Sequence, residues 1–286
     1  VACVLVGCLA KSAQFPFQFW LPNAMAAPTP VSAFLHSTTL VQAGVFLLSV
    51  FGHRSDELPG FGTVLIIAGL TTLGIATIQS IGQRDLKRLL AISTSGSLGL
   101  MVVLIGLQSA DSFMALAVFI TVHAFYKSAM FLIAGAIEKA TGTLDLDELW
   151  RRRVRIPGIG IAALFASIAM IGFFPTAGFL AKETALDAAW DYSTWVDLAL
   201  GAGAAGFAAI AWQILRVFFG PRLGPAESDE APVKLPVGLV AGPLVLGGLA
   251  AFGALIWTLW PAVPRFFSSI ASHTLNYSAS IPAPPL

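Results

Sequence analysis

Eight stretches of this chain stay apolar for roughly the 20 residues that a helix needs to cross a hydrocarbon layer, with short polar turns between them. They fall at 1–20, 30–52, 60–81, 87–108, 112–137, 157–189, 195–219 and 236–260. That recurrence predicts an all-α polytopic membrane protein of about eight transmembrane helices. A transmembrane β-barrel would instead show segments of about ten residues that alternate apolar and polar positions. A soluble globule fails on its surface. Charged residues make up 11% of the chain and apolar ones 57%, against about 25% charged in an ordinary soluble domain. So few charges cannot clothe a water-facing surface. Soluble enzymes, nucleic-acid binders and disordered chains are therefore excluded. The net charge of +1 identifies no partner.

Two spans are interrupted, at Pro16 and at Pro175. The tail 264–286 is polar and aromatic with a Pro-rich end, and reads as loop or interfacial segment. The longest loops are 138–156 and 220–235. Val1 opens inside an apolar run that lacks the basic start and cleavage site of a signal peptide, so the expectation is a truncated or split product whose first helix begins earlier. Cys3 and Cys8 lie in that run, five residues apart, a spacing that helix geometry cannot close into a disulfide.

Basic residues set the orientation. Arg84, Lys87, Arg88, Lys139, Arg151, Arg152, Arg153, Arg155, Arg216, Arg222 and Lys234 fall on one side, and Arg54 and Arg265 on the other. By the positive-inside rule the crowded side is cytoplasmic. Eight spans then place both termini on the outer face of a cell membrane, a bacterial inner membrane by expectation.

Charges within spans cost about 2.5–3.5 kcal/mol each at a helix centre on insertion scales. This chain keeps Lys11, Lys127, Lys182 and Glu183 there, with His36 and His123. His123 and Lys127 are spaced i,i+4 and share one helix face. Burial disfavours the charged form of lysine and histidine, which brings proton exchange toward neutral pH. A row of such groups at similar depth is what a proton relay requires. Other readings stand beside it. Lys11 can snorkel to an interface, His36 can be a packing histidine, and Glu183, on a different face from Lys182, can offset a local field. No cluster has the spacing of metal ligands, and no cofactor motif is present. Two cysteines in one membrane helix cannot hold an iron–sulfur cluster, so no redox chemistry is expected of this chain itself.

The two broken spans match. Both carry G-x-L-A-K, as Gly7–Lys11 and Gly178–Lys182, close to Pro16 and Pro175. Interrupted helices survive in a bilayer where they face protein or a wet cavity. A pair that crosses in opposite directions points to an inverted-repeat transporter.

Three segments carry a family resemblance: KSAQFPFQFWLPNAMAAPTPVSAFLHSTTLVQAGVFLL (11–48), DLKRLLAISTSGSLG (85–99) and HAFYKSAMFLIAGAIEKATGTLDL (123–146), the last followed by GFFPTAGFLAKETALDAA (172–189). They resemble the antiporter-like proton-translocating subunits of respiratory complex I (NADH dehydrogenase subunit 5), of membrane-bound hydrogenases and of Mrp-type multisubunit sodium/proton antiporters. FWLPNAMAAPTPVSA and GFLAKE are most similar to the A-type member of the Mrp assembly. The resemblance implies the C-terminal part of an inverted-repeat fold. Residues 1–52 would be the last two helices of the first repeat, 53–220 the second five-helix repeat, 221–263 a loop and final span, and 264–286 the tail. It implies Lys11 and Lys182 as broken-helix lysines, His36 as the histidine that passes protons on, and Lys127, with His123 a turn earlier, as the bridging lysine. The sequence departs from the family pattern at Phe119, Ile92, Ser97, Leu100 and Gln42. The family's membrane glutamate would precede Val1.

The expected function is a proton-translocating subunit of a multisubunit sodium/proton antiporter. Its partners would be other membrane subunits, protons, sodium and the lipid bilayer, and not nucleic acid. The alternatives are a proton-pumping subunit of complex I or a hydrogenase, the membrane partner of a carbon-dioxide-hydrating complex, and a structural membrane anchor.

Overall fold

The computed structural model describes residues 2–37, 39–52, 60–152, 154–220, 235–260 and 262–280. Its helices are α1 (Ala2–Lys11), α2 (Trp20–Asn23), α3 (Thr29–Ser37), α4 (Leu40–Gly52), α5 (Phe61–Ile81), α6 (Leu86–Leu107), α7 (Ala110–Thr141), α8 (Leu146–Arg152), α9 (Ile159–Ile171), α10 (Ala177–Tyr192), α11 (Thr194–Phe219), α12 (Val237–Leu259) and α13 (Ala262–Ser280). Six stretches among the described residues are long and apolar enough to cross a membrane: Thr29–Phe51, α5, α6, α7, α11 and α12. The two interrupted spans, α1 with α2 and α9 with α10, complete the eight expected.

The bundle is built around α6. Every residue of α6 except Arg88 is buried, because α2, α4, α5, α7, α10 and α11 all pack against it. Its closest neighbour is α5, and glycines make that approach possible. A Cβ on Gly69 would stand 2.4 Å from the Gly99 carbonyl oxygen, and one on Gly106 would stand 2.8 Å from that of Gly62. The two contacts are seven residues apart on each helix, two turns along the seam. Lipid tails are as apolar as leucine, so close backbone packing through small residues is what holds such a pair.

A short turn then leads into α7. Ser109 and Ser112 exchange backbone and side-chain hydrogen bonds in a capping box that starts the helix. With 32 residues, α7 is about 48 Å long, against a hydrocarbon core of about 30 Å. It therefore overshoots at its far end. There Glu138 pairs with Lys87 at 2.8 Å and accepts the Thr29 hydroxyl at 2.6 Å. This pair borders a cleft of about 450 Å³ lined also by Asn23 and Arg88.

The same end carries a polar plate. The Leu86 and Leu146 amides donate to the Leu144 and Arg84 carbonyls at 3.0 and 2.7 Å. Asp85 and Asp145 accept from the Arg88 and Glu148 amides and so cap α6 and α8. The Trp150 ring of α8 packs under the guanidinium groups of Arg84 and Arg216, 5.7 and 4.2 Å from its centroid. Arg84, Lys87, Arg88 and Arg216, counted from the sequence on the crowded side, thus gather at one end of the bundle. Arg54, Arg153, Arg222 and Lys234 lie outside the described residues.

The structure departs from the expected elements in two places. The tail is helical from Ala262 to Ser280 rather than loop. Val263, Phe266, Phe267 and Ile270 recur at helical spacing, and Phe267 packs 5.4 Å from Trp257. Residues 281–286 lie outside the described set. The expected loop 138–156 is largely helix, since α7 runs to Thr141 and α8 occupies Leu146–Arg152. The expected span 30–52 is met by the stretch Thr29–Phe51, within which α3 ends at Ser37 and α4 starts at Leu40. At that junction Ser37 donates to the Ala33 carbonyl, Thr39 to that of Phe34, and the Gln42 amide to the Ser37 carbonyl at 2.8 Å. Hydroxyls competing for helix carbonyls loosen the ladder there.

The glycine seam predicts a contrast within one helix. Gly69→Ala forces a methyl group onto backbone and should destabilise the protein by about 1–3 kcal/mol. Gly74→Ala, also on α5 but with open space around its Cβ, should be neutral or stabilising by up to about 1 kcal/mol. Thermal unfolding of the two variants in detergent, followed by size-exclusion, checks the difference.

Candidate functional site

The first break follows Lys11. Past α1 the chain turns through 12–19, and its backbone groups find partners in neighbouring helices rather than in lipid. The Phe15 amide donates to Thr72 Oγ1 of α5 at 2.9 Å. The Ala13 carbonyl accepts Ser95 Oγ of α6 at 2.9 Å, and the Ala10 carbonyl accepts the Trp20 indole N–H at 3.0 Å. Lys11 itself, the last residue of α1, is exposed on the described surface. Among the described residues it forms no ion pair.

The buried centre lies between α3, α6 and α7. Lys127 is fully buried. Its ammonium nitrogen donates to the Leu90 carbonyl at 3.3 Å and to Ser93 Oγ, both on α6. No carboxylate among the described residues pairs with it. His123, one turn earlier on α7, is also fully buried. Its Nδ1 lies 3.0 Å from the Tyr126 hydroxyl, while Nε2 has no protein partner. Phe119 stacks on the ring at 6.3 Å.

His36 stands across from them on α3, 1% exposed, between the rings of Trp20 at 6.4 Å and Phe131 at 6.0 Å. Neither of its nitrogens has a partner among the described residues. Phe131 is one turn from Lys127, and beside it Ser128 donates to Ser37 Oγ at 2.8 Å. The antiparallel pairing of α3 with α7 therefore brings His36 to the level of Lys127.

The second break lies between α9 and α10. Gly172, with φ +80°, ends α9 in the left-handed region, and Thr176 caps α10 by accepting the Phe179 amide at 3.2 Å. Lys182 reaches back to donate to the Ile171 carbonyl at 2.8 Å. Its nitrogen sits 5.1 Å from the Phe207 ring centroid. Two glycines admit this arrangement. A Cβ on Gly172 would meet the Lys182 stem at 2.8 Å, and one on Gly178 would fall 1.7 Å from the Ala169 carbonyl oxygen. Gly7, the matching residue of the first motif, has open space instead. Glu183 is exposed, away from its half-buried neighbour, and forms no ion pair among the described residues.

Of the six residues singled out from the sequence, the structure brings His36, His123 and Lys127 into one buried region. It places Lys182 at the second break, and Lys11 and Glu183 at the surface. Sequence reasoning passed over Ser93, Tyr126 and Ser128, which bond to or flank this row, named Ser97 only as a departure from the family pattern, and counted Lys87 only toward orientation. Tyr126 was detectable as an i,i+3 neighbour of His123. The Lys87–Glu138 pair joins residues far apart in the chain and left no local signal. The described residues include no group of three or more His, Cys, Asp or Glu placed to hold a metal ion.

Comparison with known proteins bears on this arrangement. Residues 1–208 match the family described as NADH:quinone oxidoreductase/Mrp antiporter, transmembrane. A probable K(+)/H(+) antiporter A/B subunit of Rhizobium meliloti is 47% identical over 63% of this chain and 18% of its own. The A subunit of a Na(+)/H(+) antiporter of Alkalihalophilus pseudofirmus is 34% identical over 95% of this chain and 36% of its own. The chain thus spans between about a fifth and two fifths of the curated relatives it matches. The Mrp complex from Dietzia superposes with a TM-score of 0.77 at 31% identity, over 94% of this chain and 29% of that one. Complex I from Thermus thermophilus shares the fold, with a TM-score of 0.76 at 20% identity, over 95% of this chain and 58% of that one. With the match covering most of its length, this multi-pass helical chain belongs to the NADH:quinone oxidoreductase/Mrp antiporter transmembrane family.

Proposed function

We propose that this chain is proton-translocating membrane machinery of a multisubunit cation/proton antiporter, with sodium as the coupled ion. Protons move along the membrane plane through Lys11, His36, His123, Lys127 and Lys182, with water between them, and Glu183 acts as an outlying charge. Other membrane subunits supply the rest of the path. In this reading 1–52 closes one inverted repeat, 53–220 forms the next, 221–263 adds a loop and a span, and 264–286 is the tail.

One observation carries the reading. The buried side-chain polar atoms without a protein partner, among the described residues, are Gln14 Oε1, Gln18 Oε1, both His36 nitrogens, His123 Nε2 and Ser167 Oγ. Buried polar groups are almost always satisfied, and in a polar cavity the missing partner is water. These atoms run from the first break through α3 and α7 to α9, whose C-terminal carbonyl Lys182 caps. The unsatisfied atoms thus mark a wet seam along the same helices as the lysines and histidines. A purely structural anchor would have no reason to keep it. The antiporter is favoured over complex I, a hydrogenase or a carbon-dioxide-hydrating complex because identities of 31–47% go with antiporter names, against 20% for the respiratory complex.

The reading is testable by transport and by topology. In vesicles holding the assembled complex, Lys127→Ala or Lys182→Ala should lower sodium-driven proton flux by roughly a hundredfold, measured with a pH-sensitive dye. Undiminished flux in both variants would favour the anchor. For orientation, alkaline phosphatase fused after Leu286 should be active, and inactive when fused after Gly142, since the positive-inside rule places these points on opposite sides. The reverse pattern would invert the proposed topology.

A further inference from the structure

His123 and Lys127 share a helix face, yet the structure shows no direct bond between them. The Lys127 nitrogen turns to α6, toward Leu90 and Ser93. His123 turns to Tyr126, whose ring meets it edge-on at 5.2 Å and whose hydroxyl lies 3.0 Å from Nδ1. On α6, Ser97 donates to the Ser93 carbonyl at 3.0 Å. Ser93 accepts Lys127. Tyr126 is 4% exposed, so its hydroxyl has little access to bulk water.

We propose that Tyr126 is a positioning residue for proton transfer, fixing the His123 ring through Nδ1 and reserving Nε2 as the nitrogen that exchanges. The inference rests on the relay described under Proposed function. In a neutral imidazole one ring nitrogen donates and the other accepts, and the hydrogen bond at one fixes the role of the other. With Nδ1 engaged by Tyr126, Nε2 is the free site, and it is also the buried atom without a protein partner. When Lys127 gives up a proton through intervening water, Nε2 binds it and the imidazolium keeps Nδ1–H donated to the phenol oxygen. When Nε2 releases that proton onward, the neutral ring is restored, so one proton enters and one leaves with no change at Tyr126.

The test is Tyr126→Phe in the assembled complex, which keeps the ring and removes only the hydroxyl. Loss of one hydrogen bond at this step should slow proton flux by roughly tenfold, with the complex still eluting intact on size-exclusion. His123→Ala should make the hydroxyl irrelevant, so the double variant should be no slower than His123→Ala alone. Solid-state ¹⁵N spectra of histidine-labelled protein should show the His123 ring signals redistributed between the two tautomers in Tyr126→Phe. Full flux and an unchanged His123 spectrum in Tyr126→Phe, with Lys127→Ala inactive, would overturn the role of Tyr126 and leave the relay standing. Full flux in Lys127→Ala as well would overturn both.

Discussion

The arrangement depends on how one amine is housed. Lys127 lies inside the bundle with no exposed surface, and a buried amine without partners costs several kcal/mol. Its nearest partners are the Leu90 carbonyl and Ser93 Oγ. Both come from α6, which explains that helix's unusual composition. Ser93, Thr94, Ser95 and Ser97 crowd into a span that is otherwise apolar. Ser93, Thr94 and Ser97 back-bond to carbonyls of their own helix, so they stay satisfied in hydrocarbon while offering lone pairs outward. A helix so rich in hydroxyls cannot face lipid at low cost, so it has to be encased. The glycine seam with α5 and the broken span at 12–19, tied to Ser95, are what encase it.

The same logic separates two parts of the bundle. Along the described residues of α5 and α6 backbone meets backbone and no buried side-chain polar atom is left over. Along α3, α7 and the first break the seams hold Gln14, Gln18, His36 and His123 with buried polar atoms that find no partner among the described residues. The row of protonatable groups therefore runs beside a rigid wall, which fixes the depth at which the buried lysine and histidines sit.

Much of this was legible in the sequence. The spans, the bias of basic residues and the two breaks follow from run length, charge position and proline, which are local signals. Lys127 and His123 were readable because i,i+4 spacing is itself geometry. What escaped were couplings across helices. Thr29 to Glu138 and His36 to Phe131 step seven residues forward on α3 for seven back on α7, a register that neither segment encodes alone. Tyr126 was within reach of the same geometry, three residues from His123, but a tyrosine in an apolar helix reads as packing until its hydroxyl has a partner. The tail, read as loop or interfacial, is helical over Ala262–Ser280, a period that its polarity masked.

The two G-x-L-A-K motifs show where sequence similarity stops. At each break a side chain donates to a carbonyl at the end of a helix. After α1 the donor is the Trp20 indole, bonded to the Ala10 carbonyl that the Ala13 amide also reaches. After α9 it is the Lys182 amine, bonded to Ile171. An indole N–H never exchanges its role, whereas an ammonium donates more strongly than the amine it becomes on losing a proton. The donor at the second break is thus a group that can lose a proton, and the donor at the first is not. The two motifs place their lysines differently, Lys182 against a helix end and Lys11 at the surface, through contacts that the motif does not specify.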